Sequence, residues 1–525
     1  MIVRVRPFAR GSVPVATGEE SAAFDRHAVT GLGVPEPALM ESAGRAAAEV
    51  VQRLVPRGDV LGVVGGGNNG GDVLVALRTL AAWGRSVRVL LVAERPEPEP
   101  LLHGWPLPTV RDDGGERAGA NGWDALAGAA VVLDGILGTG ARGAPRPRQA
   151  RAIAAVNVAA GVVVALDVPS GVDAETGVME GAAVRADVTV AFGWPKLGTL
   201  LGEGRVLRGR LVAVEIGFPP VPEGRFGAAL ITPAWAAATR PRRDPETHKY
   251  RVGTVLVVAG RPGMAGAAVL AARAALRAGA GLVHVASAPE NRVVLQSATP
   301  EAIFVDASDA EALAARAADA DAIAVGPGIG TDTQGEGVLA AVLDAGDTPL
   351  VLDADALTLL GSGRPRRLAE VARTRPCLVT PHAGEMTRIA RFGSEELRAR
   401  RLEITRATAA ELGCTVILKG LPSLVAAPDA PVLIDSVGTS DLATGGMGDV
   451  LTGIAGALLA RGLTPRLAGA LALHGSGRAA VRAGKGEGIL PVDVVSHLRD
   501  ALAESGPGES DLDLPCVLLD LDPAR

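Results

Sequence analysis

The sequence predicts an α/β protein of two domains, each built on a mostly parallel sheet covered by helices. Three observations predict it. Short runs rich in β-branched residues alternate with alanine-rich runs of helical period along most of the chain. The length, 525 residues, exceeds what a single core usually holds. Between the two series the texture turns to proline and charge, in GFPPVPEGRFG (217–227) and TRPRRDPETHKY (239–250), as it does at domain boundaries.

Taken in order, residues 19–55 carry the period of two amphipathic helices. VLGVVG (60–65) reads as the first central strand, DVLVALRTLAAWG (72–84) as a helix and SVRVLLVA (86–93) as the next strand. AAVVLDGILG (129–138), the helix RQARAIAAVNVAAG (148–161) and VVVALDVPSG (162–171) continue a doubly wound pattern. A second series opens at GTVLVVAG (253–260), with the helix GAAVLAARAALRAGAG (266–281) and the strand LVHVAS (282–287). ADAIAVGPGIG (320–330), TPLVLDADAL (348–357), PCLVTPHAGE (376–385) and CTVILKG (414–420) extend it. The expected division is residues 1–225, 226–505 and a tail, 506–525. The tail mixes acidic and apolar residues, is expected to be partly ordered at best, and receives no function. The halves share no motif at a fixed offset, so two different domains are expected.

A hydrophobic content of 48% excludes a disordered chain, while 68 glycines and 2% aromatics imply close-packed elements with small side chains. A formal charge of −6 offers no broad attraction for nucleic acid, and no nucleic-acid partner is expected. Cys377, Cys414 and Cys516 stand singly among apolar neighbours without CxxC spacing; buried, reduced thiols and a cytoplasmic location are expected. MIVRVRPFAR lacks the apolar stretch of a secretory signal, and no uncharged run approaches the ~18 residues of a membrane span.

GGGNNGGD (65–72) follows the first central strand. Glycines between a strand and a helix let backbone N–H groups converge on an anion at the helix N-terminus. The spacing is not GxGxxG. The side chains of Asn68, Asn69 and Asp72 suit a cation or sugar hydroxyls as well as a phosphate, and a plain polar turn is the alternative. Two further strand ends weaken that alternative. LDGILGTGARG (133–143) brings Asp134 and a second glycine turn, and ALDVPSGVD (165–173) brings Asp167 and Ser170. In an open parallel sheet the carboxyl ends of strands form the ligand crevice.

GGGNNGGD, DGILGTG and LDVPSG, in this order, resemble the NAD(P)H-hydrate epimerases over roughly residues 15–220. The resemblance implies a Rossmann-like domain that interconverts the R and S forms of NAD(P)H hydrated at C6 of the nicotinamide ring (NAD(P)HX). It implies hydrate contacts from Asn68, Asn69, Gly70, Gly71 and Asp72, from the turn Gly138, Thr139, Gly140, Ala141, Arg142, Gly143 and Ala144, and from Asp167. A potassium ion is implied at Asn69, Asp134 and Ser170, which are oxygen ligands suited to a hard cation. Asp167 is the acid/base candidate. The family pattern has glycine after NNGGD, where this chain has Val73.

ATGGMGDVLTGIAGALLARG (443–462) places glycines before a long apolar helix. The N–H groups of Gly446, Met447 and Gly448 could form an anion hole. Asp449 would then take a proton from an attacking hydroxyl, or serve as a plain helix cap. AVGPGIG (324–330), VLDADAL (351–357), TPHAGEM (380–386) and VILKGLPS (416–423) all end strands in polar or glycine-rich turns. Lys419 would reach phosphates or solvent. This set resembles the ADP-dependent NAD(P)H-hydrate dehydratases, of ribokinase-like fold, from about Ile231 to His497. Such enzymes phosphorylate the C6 hydroxyl of the S-hydrate and eliminate phosphate. The resemblance puts the hydrate near Ala267, Gly328, Thr380, Pro381, His382, Ala383, Gly384, Glu385, Met386 and Asp449. It puts ADP, with magnesium, near Lys419, Gly420, Leu421, Pro422 and Ser423. The same nucleotide would meet Gly438, Thr439, Ser440, Asp441, Leu442, Ala443, Thr444, Gly445, Gly446, Met447 and Gly448. Asp449 would be the base. Asp441 stands where the family commonly has glycine, Arg261 where serine is usual and Thr358 where asparagine is common.

The expected function is therefore repair of hydrated NAD(P)H, epimerisation followed by ADP-dependent dehydration, with release of AMP and phosphate. A ribokinase-like small-molecule kinase fused to a nucleotide-binding domain is the alternative, and a non-catalytic binding module a third. NAD(P)HX and ADP are the expected ligands, and self-association into a homo-oligomer is expected from the dehydratase resemblance.

Overall fold

The computed structural model describes residues 7–112, 126, 128–222, 224–361 and 365–524. Two compact units emerge: Met1–Ala228 together with Pro507–Arg525, and Ala229–Gly506.

The first unit holds β1 (Phe8–Ala9), β2 (Val60–Val64), β3 (Val87–Leu91), β4 (Thr109–Arg111), β5 (Val131–Gly135), β6 (Val162–Leu166), β7 (Val188–Phe192) and β8 (Arg210–Val214). Its strand order is β1, the tail strand Val517–Leu521, β8, β7, β6, β5, β2, β3, β4. Strands β2 to β8 pair in parallel. Runs such as VLGVV and VVLDG are buried at every position, because helices cover both faces of such a sheet. The order reverses between β2 and β5, and the crevice at such a switch point is where ligands bind. Helices α1 (Gly18–Arg26) and α2 (Glu36–Leu54) precede β2, and α3 (Asn68–Ala82) follows it. A reciprocal cap starts α1: Thr17 Oγ1 accepts from Glu20 N at 3.0 Å, and the Glu20 carboxylate accepts from Thr17 N at 2.8 Å.

The tail corrects an expectation. Residues 506–524 are not a partly ordered appendage. Val517–Leu521 pairs antiparallel with both β1 and β8. Val517, Leu519 and Leu521 are buried, and Asp520 is fully buried. Arg210 on β8 explains the inward acid. It donates from Nε and Nη2 to the two Asp520 oxygens, each at 2.8 Å, and Ser510 Oγ donates to the same carboxylate at 2.6 Å. Cys516 departs from expectation too: it is half-buried, its thiol 3.6 Å from Glu49, whereas Cys377 and Cys414 are buried.

Val73 is fully buried behind the glycine loop. Its methyl groups lie where side chains on Gly62 of β2 and Gly135 of β5 would stand, 2.5 Å and 2.4 Å from the positions of their missing Cβ atoms. Two strand glycines thus make room for the valine. Gly62→Ala is expected to destabilise the first unit by about 1–3 kcal/mol through overpacking. Val73→Ala should recover part of that loss in a double-mutant cycle, read by denaturant unfolding; strictly additive effects would refute the pairing.

The second unit holds β9 (Ala228–Ile231), β10 (Thr254–Val258), β11 (Leu282–Ser287), β12 (Ile303–Asp306), β13 (Ala322–Val325), β14 (Leu350–Leu352), β15 (Cys377–Val379), β16 (Thr415–Leu418), β17 (Leu424–Ala426) and β18 (Val432–Asp435). Their order is β12, β11, β10, β13, β14, β15, β16, β17, β18, β9. Strands β10 to β16 pair in parallel, and β17 runs antiparallel to both its neighbours. The switch falls between β10 and β13. Helices α4 (Ala265–Arg277) and α5 (Met447–Ala460) pack backbone to backbone: a Cβ on Gly453 would stand 2.1 Å from Ala271 O. Such approach is what the glycine- and alanine-rich composition permits. Among the described residues no helix is long and apolar enough to cross a membrane.

Candidate active sites

The first site lies at the carboxyl ends of β2, β5, β6 and β7, around a cleft of about 1010 Å³. That volume is in the range of small-molecule sites. GGGNNGGD forms the turn and the opening of α3, with Asn68, Asn69, Gly70, Gly71 and Asp72 all in the helix. Gly70 is required by close approach, since a Cβ there would stand 2.3 Å from Gly65 O. The turn Gly138–Ala144 forms another wall, and Arg142 Nη1 ties it by donating to Thr139 O at 2.9 Å and Ala141 O at 3.0 Å.

Asn69, Asp134 and Ser170 meet around Leu137. Ser170 Oγ donates to Asp134 Oδ1 at 2.6 Å and accepts from Leu137 N at 2.8 Å, and Asn69 Nδ2 donates to Leu137 O at 2.7 Å. Asn69 Oδ1 is buried with no hydrogen-bond partner among the described residues. Burial pushes the Asp134 carboxyl up to about 6, against the pull of its hydrogen bonds from Ser170 and Ile136. An orphaned amide oxygen beside one carboxylate, one hydroxyl and one backbone carbonyl fits a monovalent cation: the donors are all oxygen and carry a single negative charge.

Asp167 follows β6 with φ of +65°, rare for a residue with a side chain. Its Oδ1 accepts from Phe192 N at 3.0 Å and is ion-paired with Lys196 Nζ, which also donates to Phe192 O at 2.8 Å. Lys196 is almost wholly buried, at 1% exposure. Four aromatic rings hold its segment in place: Trp194 stacks on Phe218 at 4.8 Å, and Phe24 and Phe226 close around it. Lys196 and Asp25 both line the cleft, and sequence reading missed both. The available signal was a lone lysine in the otherwise uncharged run VTVAFGWPKLGTL after a strand.

In the second unit, α5 begins at Met447 behind Gly446, whose φ of +88° makes the turn into the helix. Met447 N already donates to Thr444 O at 3.3 Å, so Gly448 and Asp449 carry the first-turn N–H groups that have no intrahelical acceptor. Lys419, at the end of β16, donates to Asp353 Oδ1 at 2.7 Å, and Thr452 Oγ1 donates to Asp353 Oδ2 at 2.8 Å. A Cβ on Gly448 would stand 3.3 Å from Asp353 Oδ2 and 3.7 Å from Lys419 Nζ. Asp449, Gly448, Lys419 and the buried Asp353 are therefore one cluster beneath the helix end. Burial first, and then the Asp353 carboxylate, push Asp449 up to about 6, with Lys419 pulling the other way.

Gly328 lies beside Ala267, 3.6 Å from its own missing Cβ to Ala267 Cβ. His382 caps the helix Ala383–Ala390. Its Nδ1 accepts from Gly384 N at 3.0 Å and Glu385 N at 3.3 Å, leaving Nε2 3.5 Å from Glu385 Oε1. Lys419 N donates to Pro381 O at 2.9 Å, joining this turn to the Lys419–Ser423 loop. Within the loop Ser423 Oγ donates to Gly420 O at 3.0 Å, and Arg401 Nη2 braces it by donating to Lys419 O at 3.1 Å. The run Gly438–Gly448 starts with Gly438 N donating to Asp435 Oδ2 at 2.9 Å, and Asp441 lies in the short helix Ser440–Leu442. Asp353, Thr452 and Arg401 were not singled out from the sequence. Asp353 lay in the quoted VLDADAL, where nothing local separates it from Asp355.

A family model described as NAD(P)H-hydrate dehydratase matches residues 255–500, and one described as YjeF-related protein N-terminus matches residues 36–198. A Salinibacter ruber protein named bifunctional NAD(P)H-hydrate repair enzyme Nnr is 38% identical over 505 residues, covering 90% of this chain and 92% of its own. The chain belongs to the bifunctional NAD(P)H-hydrate repair enzymes. An Escherichia coli relative of the same name is 36% identical over 90% of this chain and 91% of its own. Among solved structures, the Bacillus subtilis ADP/ATP-dependent NAD(P)H-hydrate dehydratase is 30% identical to the repair enzyme over 52% of this chain and 98% of its own, with a TM-score of 0.45. The two matched segments of this repair enzyme lie in different sheets, each with its motifs at a switch-point rim.

Proposed function

We propose that the first unit interconverts the R and S forms of NAD(P)HX, and that the second dehydrates the S form at the expense of ADP. One observation carries this reading: both motif sets converge at the strand-end rim of their own sheets, on a chain matched along its length by repair enzymes. In the first cleft, Asn68–Asp72 and Gly138–Ala144 would hold the hydrate, and Asp167 Oδ2, the oxygen not engaged by Lys196, would exchange a proton with it. Asn69, Asp134 and Ser170 would hold potassium, which would supply a fixed positive charge beside the sugar and phosphate oxygens.

In the second unit, Ala267, Gly328 and Thr380–Met386 would bind the S-hydrate. Lys419–Ser423 and Gly438–Gly448 would bind ADP, whose bound magnesium would neutralise phosphate charge. Asp449 removes the C6 hydroxyl proton as that oxygen attacks the β-phosphorus and AMP leaves. The N–H groups at the start of α5 stabilise the transferring phosphoryl group. Phosphate then departs with the C6–O electron pair, C5 gives its proton to the departing phosphate, and the C5–C6 double bond of NAD(P)H is restored. The cytoplasm is the compartment that keeps the three thiols reduced. Exposed Val293 and Val294, on the helix Arg292–Ala298, and Ile303, on the edge strand β12, support self-association, checked by sedimentation.

The test is recovery of reduced-nicotinamide absorbance from a mixed R/S NADHX preparation with ADP and magnesium. Full recovery is expected. A plateau at the S fraction removes the epimerase assignment, and no recovery with ADP or ATP favours a small-molecule kinase.

A further inference from the structure

The first cleft contains two carboxyl groups with opposite surroundings. Asp167 has its cation, Lys196, and a backbone N–H on the same oxygen. Asp72, in the second turn of α3, is 9% exposed and lines the same cleft. No side-chain hydrogen bond joins Asp72 to another described residue. The charged groups that face it are the carboxylates of Asp167 and Asp25 and the single ammonium of Lys196. Asp25, which is exposed, faces Glu36 and Arg26 as well. Among the described residues Lys196 is thus the one cation that acts on both Asp72 and Asp167, and it sits on Asp167.

We propose that Asp72 and Asp167 act as an acid–base pair on the hydrated ring, Asp72 delivering one proton and Asp167, ion-paired to Lys196, removing another. This rests on the epimerase reading of the cleft. Carboxyl groups whose environments differ in this way divide acid and base roles between them. Burial, and then the Asp167 carboxylate, hold the Asp72 carboxyl well above the ordinary range, in keeping with the acid role.

The step balances without any further reagent. Asp167 Oδ2 takes the proton of the C6 hydroxyl, and the freed O–H electron pair becomes the carbonyl bond. The C6–N1 bond breaks with its electrons passing to N1, which takes the Asp72 proton. Rotation about C5–C6 turns the other face of the aldehyde to N1. Ring closure returns one proton to Asp72 and the other to the oxygen, giving the opposite epimer. Lys196 touches no reacting atom; it is a positioning residue that fixes which Asp167 oxygen faces the cleft.

The experiment follows conversion of R-NADHX to S-NADHX by chromatography on the full chain without ADP, corrected for the enzyme-free rate. Asp72→Asn is expected to lower the rate by about 10²–10⁴-fold with hydrate binding retained. The wild-type rate is expected to fall at high pH, where Asp72 loses its proton, and Asp72→Asn is expected to lack that fall. Lys196→Met should lower kcat with KM for R-NADHX little changed, because Asp167 loses the ammonium that fixes which of its oxygens faces the cleft; a purely structural lysine would change hydrate binding and the melting profile as well. Hydrate binding and the melting profile, measured on each variant, report that the first unit is folded. Asp72→Asn at the wild-type rate, or with the high-pH limb intact, overturns the pair. A wild type that converts no R-hydrate overturns the epimerase reading itself.

Discussion

Asp449→Asn lowers dehydration of S-NADHX by about 10²–10⁴-fold and leaves R-to-S conversion unchanged. The aspartate opens α5 beside the free N–H groups of its first turn, within the cluster that contains Asp353 and Lys419. Asparagine keeps the size and the hydrogen-bonding edge but cannot accept the hydroxyl proton. The sign of the pH dependence follows from the direction of its shift. Burial and the Asp353 carboxylate raise Asp449 to about 6, so the carboxyl gains a proton as pH falls through that value and the base is lost. The wild-type kcat/KM for the S-hydrate is therefore expected to drop about tenfold per pH unit below about 6 and to be level above it. The asparagine variant should show a low rate with that limb absent. A variant that retains the limb would place the titrating base elsewhere, with Asp353 the next residue to replace.

Ending the chain at Gly506 should abolish epimerisation while dehydration persists. Removal of the tail strand uncovers the β8 edge and strips Val517, Leu519 and Leu521 from the core of the first unit. Each such side chain contributes about 1.5–3 kcal/mol when buried. It also takes the Asp520 carboxylate from Arg210, and breaking a buried pair from one side costs about 3–5 kcal/mol. The sum is comparable with the whole stability of a domain, about 5–15 kcal/mol. The second unit has its own apolar core and loses none of it. Absorbance recovery from mixed hydrate should stop at the S fraction, and proteolysis should cut only the first unit. A truncated chain with full epimerase activity and an unchanged melting profile would falsify the structural role of the tail.

What the sequence made legible was local. Strand-end glycine turns with an acid or amide beside them are read from a few consecutive residues, so GGGNNGGD, Asp134, Asp167, Ser170 and GGMGD were accessible at once. What it hid depends on partners far along the chain. Asp520 looks like a solubilising acid in VLLDL until Arg210 is beside it. Lys196 gains its role from the backbone of Asp167, whose positive φ no pattern announces. Val73 stands where the family pattern has glycine, and what receives it, Gly62 and Gly135, lies on two separate strands. His382 is a further case: its Nδ1 caps a helix, a role set by the backbone of its own turn, whatever its Nε2 meets.

The place of the strand Val517–Leu521 also sets a timetable for synthesis. The β8 edge emerges from the ribosome long before the segment that covers it, with the whole of Ala229–Gly506 made in between. At ~5–20 residues per second that interval is on the order of tens of seconds. The dehydratase half can thus be complete on a nascent chain whose other sheet still has an open side. Newly made chains would be exposed to strand-to-strand association in that interval, and a holding chaperone would act there.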